Sequence, residues 1–379
     1  VALFAVGTDG FVIAGLLPQI AADLEVGVSA AGQLVTAFAL AFAVSAPIVG
    51  ALTSSMDRRT ALYLGLAVFI VGNAVTAVGP NYEIVMIARI VTAVGAGLIG
   101  SAAFSAAAAI APEAKRGQAL AFVMGGLTLA IAFGLPAGTL IGGADWRLTL
   151  WVVAGIGVAA VVGVAVALPS IMLPADSLKA RLQPLKEGWV FGLLVVTTAS
   201  LAGTHVLYTY ISPAVEGATG GSTTALTVIL LAWGVGNMIG NTVAGRLADR
   251  YPPERVVTGG LAAAALMLGI SPFVVTNLVT AIVWAVLWGV FVSLPVVPQQ
   301  SRFVMYAPSA SAVLLGLNNS AIYVGVALGG AVGGLFQEQL TPARLGLIAA
   351  GISVLGLLVN LGTRRAAVTT APAPAPQAA

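Results

Sequence analysis

One carboxylate stands inside an apolar run. Asp9 lies in GTDGFVIAGLLP (7–18), among Phe4, Val6, Phe11, Val12, Ile13, Leu16 and Leu17, while every other acid falls, by its surroundings, in a loop or at a helix end. An ionised carboxylate in hydrocarbon is costly, and such groups usually face a water-filled cavity and mark proton or substrate pathways. Asp9 is therefore a candidate both for exchanging a proton and for binding a substrate, against the plainer role of a solvated residue near a helix end. Arg89 either faces the same cavity, where its fixed charge would favour the Asp9 carboxylate or relay a proton indirectly, or snorkels to the interface or pairs with Glu83. His205 and Tyr208, three apart, share one helix face. A histidine there is a proton-relay candidate or a hydrogen-bonded packing residue. Trp233, Asn237 and Asn241 recur every four residues, and Asn318, Asn319 and Tyr323 form a comparable patch. Such polar stripes face other helices or a cavity, so Asn319 and the others, with Gln33, are candidate substrate contacts or helix-to-helix bonds. Trp284 and Trp288, four apart, either stack on a ligand or anchor a span at the interface.

Other chemistries are excluded. The chain has no cysteine, one histidine and no HExxH pattern, so no metal site is expected. No paired acids or nucleophile–base pair appears within the apolar runs, so neither enzyme nor cofactor chemistry is expected.

These residues need elements to hold them, and the composition says which. The chain is 59% hydrophobic and 8% charged, with a mean hydropathy of +1.04. A soluble domain carries about 25% charged residues, so this is an all-α membrane protein. The charges lie in short clusters between apolar runs and form no surface for nucleic acid. A helix needs about 20 apolar residues to cross a bilayer. That ruler finds twelve spans, near 1–22, 30–52, 60–79, 83–108, 117–142, 147–168, 189–212, 223–245, 255–275, 278–299, 310–335 and 344–363. The first apolar run lacks a small-residue cleavage site, and its abrupt start at Val1 implies natural residues before it.

Basic residues set the direction. Arg58, Arg59, Lys115, Arg116, Lys179, Arg181, Lys186, Arg246, Arg250, Arg255, Arg302, Arg364 and Arg365 fall on one side of a twelve-span arrangement, and only Arg147 and Arg344 on the other. The positive-inside rule makes the first side cytoplasmic, with both termini there. The polar linker 169–188 divides a six-helix half, 1–168, from a second, 189–365, and the Ala/Pro-rich tail 366–379 reads as disordered.

The halves repeat. Gly125, Gly134, Gly138 and Gly142 in the fifth span match Gly316, Gly325, Gly329 and Gly333 in the eleventh at a constant offset of 191. Glycine every four residues lines one helix face and lets a neighbour pack backbone to backbone. Pro136 among them is expected to bend the span. The resulting seam is expected to lie between the halves and let them rock. Two repeated six-span halves imply a transporter with its site between them.

The chain resembles the major facilitator superfamily, and within it the twelve-span proton-coupled drug antiporters. RIVTAVGAG (89–97) is similar to the family's fourth-span arginine motif, FGLPAGTLIGG (133–143) to its antiporter motif, and ADWR (144–147) to a common junction. TDGFVIAGLLPQIAADL (8–24) resembles the first span of the chloramphenicol and sugar exporter branch. The family's loop motif is clear at Gly245, Asp249, Arg250 and Arg255, but its first-half copy has Ser54 and Ser55 where aspartate and arginine are usual. Arg58 and Arg59 remain, and Asp57 would have to supply any brace of the gate. The resemblance implies a monomeric bacterial inner-membrane exporter of small amphiphilic, chloramphenicol-like compounds, driven by protons. A sugar exporter of the same branch, a symporter and a passive facilitator remain as alternatives.

Overall fold

The computed structural model describes residues 1–112, 115–173, 177–307 and 310–370. In the first half the helices are α1 (Ala2–Val12), α2 (Leu17–Asp23), α3 (Val28–Leu52), α4 (Arg58–Val78), α5 (Tyr82–Ile110), α6 (Arg116–Leu129), α7 (Leu135–Gly142) and α8 (Trp146–Ala167). A short α9 (Leu178–Leu182) lies in the linker. The second half holds α10 (Gly188–Tyr208), the short α11 (Ile211–Ala214) and α12 (Glu216–Thr219), α13 (Thr223–Arg250), α14 (Pro253–Val274), α15 (Leu278–Ser293), α16 (Val296–Tyr306), α17 (Ser311–Phe336) and α18 (Leu345–Thr370). Among the described residues eleven helices are long and apolar enough to cross a membrane, or twelve if the bent pair at the start counts as one span. The ends are capped as the sequence provides: Asn81, Asp145 and Asn277 accept hydrogen bonds from the N–H groups of Ile84, Arg147 and Thr280.

Three expected spans are built differently. The first is not one straight helix: α1 passes through a 3-10 turn at Ile13–Gly15 and bends by 74° into α2. Pro18 at the start of α2 leaves the chain without one helical donor there. The fifth span is α6 and α7 joined by a π-helical segment, Ala130–Gly134, directly before Pro136. Proline removes a donor, and the wider turn absorbs the misfit. The tenth span breaks at Leu294 and Pro295 and continues as α16 to Tyr306. Arg302 is accordingly not a loop residue: it is fully buried in α16 and donates to Gln299 Oε1 (3.0 Å), Asn360 Oδ1 (2.7 Å) and Thr363 Oγ1 (3.3 Å). The last helix runs on to Thr370, into the stretch expected to be irregular, and 371–379 lie outside the described residues.

The glycine seams pack within each half and not between them. A methyl added at Gly138 would lie 2.6 Å from Val12 Cγ2, one at Gly142 would lie 2.8 Å from Leu16, and one at Gly134 would collide with Thr8. The fifth span thus lies against the first. In the second half Gly325, Gly329 and Gly333 face Thr198, Ala202 and Val206 of α10, so the eleventh span lies against the seventh. The 191-residue offset is thereby a repeat of packing as well as of letters.

The halves meet instead through α3 with α17 and through α13 with α7 and the π segment. Backbone at Ala132 approaches Gly234, and Gly143 approaches Thr223. Between α3 and α17, Ser29 Oγ donates to Gly334 O (2.8 Å); Tyr210 Oη, from the turn after α10, donates to Gly330 O within its own half (3.1 Å) and reaches Ser29 O across the closure (3.5 Å). Except for the α13 contacts at the π segment, these lie toward the face opposite the basic loops, which is closed. Near the basic face Gly125 and Gly316, one repeat apart, have open space beside them.

Candidate functional site

Asp9 is the one buried carboxylate among the described residues, and its side chain is fully covered. α1 carries it into the bundle, where Arg89 of α5 meets it. Arg89 lies seven residues into its helix, about 10 Å along the axis. Its Nη1 donates to Asp9 Oδ1 at 2.6 Å and its Nη2 to the Asp9 carbonyl at 3.3 Å, both groups at 0% exposure. The guanidinium also sits over the Phe38 ring, 4.3 Å from its centre, a cation–π contact that replaces lost solvation. Of the partners open to Arg89 in the sequence, the structure takes Asp9 and not Glu83.

The second carboxylate oxygen, Oδ2, has no hydrogen-bond partner. Asn73 of α4 stands beside the carboxyl, its amide nitrogen donating one hydrogen to Phe69 O (3.1 Å) and keeping a second within reach of Asp9. Tyr323 of α17 is near enough to feel the Asp9 charge and stacks on Phe42 of α3 with ring centres 3.8 Å apart. A carboxylate, a guanidinium and an amide of one half thus face a phenol of the other. That arrangement puts a titratable carboxylate beside groups of both halves. The first span bends at Leu16, and the burial of Asp9 does not depend on its being straight.

A second group gathers in the other half. His205 and Tyr208 have ring centres 5.3 Å apart, and Tyr208 lies 4.6 Å from Trp233 of α13, which lies 5.6 Å from Trp288 of α15. Trp284 stacks on Trp288 at 4.9 Å. Both are buried, so neither is an interface anchor. His205 Nδ1 bonds Leu201 O (2.9 Å), and the ring lies in this aromatic wall and not beside Asp9 and Arg89. Phe11 of α1, two residues after Asp9, reaches the wall from the first half, 5.9 Å from His205 and 6.1 Å from Tyr208.

This architecture can be compared with those of known proteins. The Major Facilitator Superfamily pattern matches residues 1–191 and 193–379. The chain belongs to the major facilitator superfamily. This superfamily member is 34% identical over 369 residues to the inner membrane transport protein YdhP of Escherichia coli K12, covering 96% of this chain and 94% of that one. It is 35% identical over 266 residues to a chloramphenicol resistance protein of Streptomyces lividans, covering 69% and 68%. Its fold matches that of a bacterial homolog of the human lysosomal transporter Spinster, in an inward-facing and unoccupied conformation. The TM-score is 0.78, the identity 14%, and 99% and 98% of the two chains are covered. The protein is a multi-pass membrane transporter and not an enzyme.

The remaining candidates of this transporter scatter. Asn241 Nδ2 donates to Asn237 Oδ1 (3.1 Å), so these two amides are bonded to each other along α13. Asn318 accepts from Thr197 (2.7 Å) and joins two helices, whereas its neighbour Asn319 is partly exposed on α17. Gln33 is not in the wall of the site: it packs against Gly334 in the closure between α3 and α17. Asp57 caps α4 and accepts from Ile171 N (2.7 Å), and Arg58 N donates to Ile171 O (2.9 Å). The Ile171 N–H holds the Asp57 carboxyl below the usual aspartate range. Asp57 therefore staples the start of the linker and does not bridge the halves. Arg58 is buried and caps the end of α3 through the carbonyls of Thr53, Ser54 and Met56. Asp249 and Arg250 stand exposed at the end of α13.

Sequence patterns missed Asn73, Phe38, Phe42 and Phe11. Asn73 alone carried a signal, as a lone amide in an apolar span; the phenylalanines look like any lipid-facing residue.

Proposed function

We propose that this transporter exports small amphiphilic compounds in exchange for protons, by alternating access, with the basic face and both termini in the cytoplasm. The observation that carries this reading is the fully buried Asp9–Arg89 pair, in which the arginine bonds only one of the two carboxylate oxygens. Intramembrane acids paired in this way mark proton relays. Protonation of Asp9 removes the negative partner, weakens the pair and frees Arg89, so the pair reports proton binding to both α1 and α5. With the face opposite the basic loops closed, substrate enters from the cytoplasm or inner leaflet. Proton arrival at Asp9 from outside then favours release. The chain works as a monomer, each one holding a complete pair.

The chemistry of the walls supports a neutral or weakly cationic, largely apolar substrate. The aromatic wall offers ring faces and few charges, and the chloramphenicol resistance protein named above is similar over 69% of this chain. The deciding experiment is substrate-triggered proton release from the purified protein in weak buffer, comparing wild type with Asp9→Asn. Chloramphenicol is expected to release protons from wild type and none from Asp9→Asn. Equal release from both sinks the assignment, and a sugar panel in the same assay separates drug from sugar export.

A further inference from the structure

The aromatic wall has a feature that packing does not explain. His205 Nε2, Tyr208 Oη, Trp233 Nε1 and Trp288 Nε1 are all buried with no hydrogen-bond partner. Trp284 differs: its Nε1 donates to Met267 O at 2.8 Å, as a structural tryptophan does. Native proteins leave few buried polar atoms unpaired, because each one forfeits its hydration. Here four stand on adjoining rings, contributed by α10, α13 and α15. Three of the four can only, or most readily, donate: a phenol and two indoles. Among the described residues no cation–ring contact involves these rings. The chemistry left open is a set of mutually tilted aromatic faces edged with donors.

Phe11 is the ring now laid against it. It comes from the other half, meets Tyr208 edge-on at 80°, and is partly exposed where the wall rings are buried. Having no polar atom, it covers the wall without satisfying any of its donors. Its helix ends one residue later, at Val12, before the 3-10 turn and the 74° bend.

We propose that the wall formed by His205, Tyr208, Trp233 and Trp288 binds an uncharged aromatic compound bearing hydrogen-bond acceptors such as nitro or carbonyl groups, its ring taking the place of Phe11. The inference rests on the export reading above and names its substrate class. Trp284 is the platform behind Trp288, and Phe11 is an internal occupant that competes with the ligand. Moving Phe11 off the wall moves the short helix that also carries Asp9, so ligand occupancy and the Asp9–Arg89 contact are linked through one rigid segment.

The test is equilibrium binding of two nitroaromatic probes, chloramphenicol and 4-nitroacetophenone, to the full purified chain, read by quenching of tryptophan fluorescence. Tyr208→Phe keeps its ring and deletes the donor, while Trp233→Phe and Trp288→Phe delete the donor together with the pyrrole half of the indole, and each is expected to raise Kd about 3- to 10-fold. Phe11→Ala is expected to lower Kd, with Phe11→Leu as the second variant should alanine fail to fold. Trp151→Phe, on the exposed face of α8, is expected to leave Kd unchanged. Absence of saturable quenching of wild type by both probes overturns the proposal, as does wild-type affinity in all three donor deletions, or weaker binding in Phe11→Ala and Phe11→Leu. Proton release is read separately: normal binding by the donor deletions beside a proton-silent Asp9→Asn rejects this site and leaves the export reading standing. Donor-sensitive binding with no proton release from wild type does the reverse.

Discussion

Arg89 cannot lose its charge, so Asp9 is the partner that can change. Removing one member of a buried pair leaves an uncompensated ion, whereas removing both leaves only altered packing. Asp9→Ala is therefore expected to destabilise the protein by about 3–5 kcal/mol. The double variant Asp9→Ala with Arg89→Leu should recover a large part of that loss, as measured by thermal unfolding in detergent. Additive losses would mean that the pair is not coupled. Asp57 makes a different prediction. Its carboxyl is held low by the Ile171 N–H, so the ionised form is the bonded one. The stabilising effect is present above the ordinary aspartate range and lost only as pH falls through the lowered folded value. Asp57→Ala should expose the linker near Ile171 to limited proteolysis at neutral pH, where wild type resists, and acid below the aspartate range should do the same to wild type.

At the scale of elements, glycine decides which helices touch. A methyl at Gly329 would lie 2.6 Å from Ala202 O and 2.7 Å from His205 Cβ. The obstacle is largely backbone and cannot rotate away. Gly329→Ala should push α17 off α10 and cost about 1–3 kcal/mol, as overpacking does. Gly351 on α18 has nothing within 4 Å, so Gly351→Ala should be neutral or stabilising by up to about 1 kcal/mol from helix propensity. Equal melting temperatures for the two variants would contradict the packing described. The π segment before Pro136 and the bend at Leu16 place the irregular backbone of the first half beside its two jobs, the α13 contact and the Asp9 segment.

For the whole molecule the state shown is held by few bonds across the closed face. Tyr210 lies against Gly32, and a methyl there would come 2.5 Å from the ring carbon Cε1. Gly32→Val is expected to disfavour the closed face without touching Asp9 or the aromatic wall. The chain has no cysteine, so spin labels at Glu25→Cys and Glu338→Cys report that face alone. Their distance distribution should lengthen in Gly32→Val, and an unchanged distribution would remove Tyr210 and Gly32 from the closure.

Much of this was legible in letters. Apolar run lengths mark twelve candidate spans, matched by eleven long apolar helices and one bent pair among the described residues, and the placement of Arg and Lys sets the direction expected of them, because the bilayer imposes one length and one charge rule on every helix. The 191-residue glycine offset shows the two halves, and the isolation of Asp9 marks it as the acid to follow. Partners were not legible. Asp9 and Arg89 are 80 residues apart, and nothing in either span names the other. The glycine rows announce close packing but not the neighbour, which proved to be the first and seventh spans and not the opposite half. Gln33 and Arg302 have the same composition of surroundings as residues that line a site or a loop. Only the tertiary structure separates them, because in an apolar chain the hydrophobic effect no longer sorts inside from outside. Which face of each helix meets which neighbour is then decided by shape and by the few polar bonds that three-dimensional packing allows.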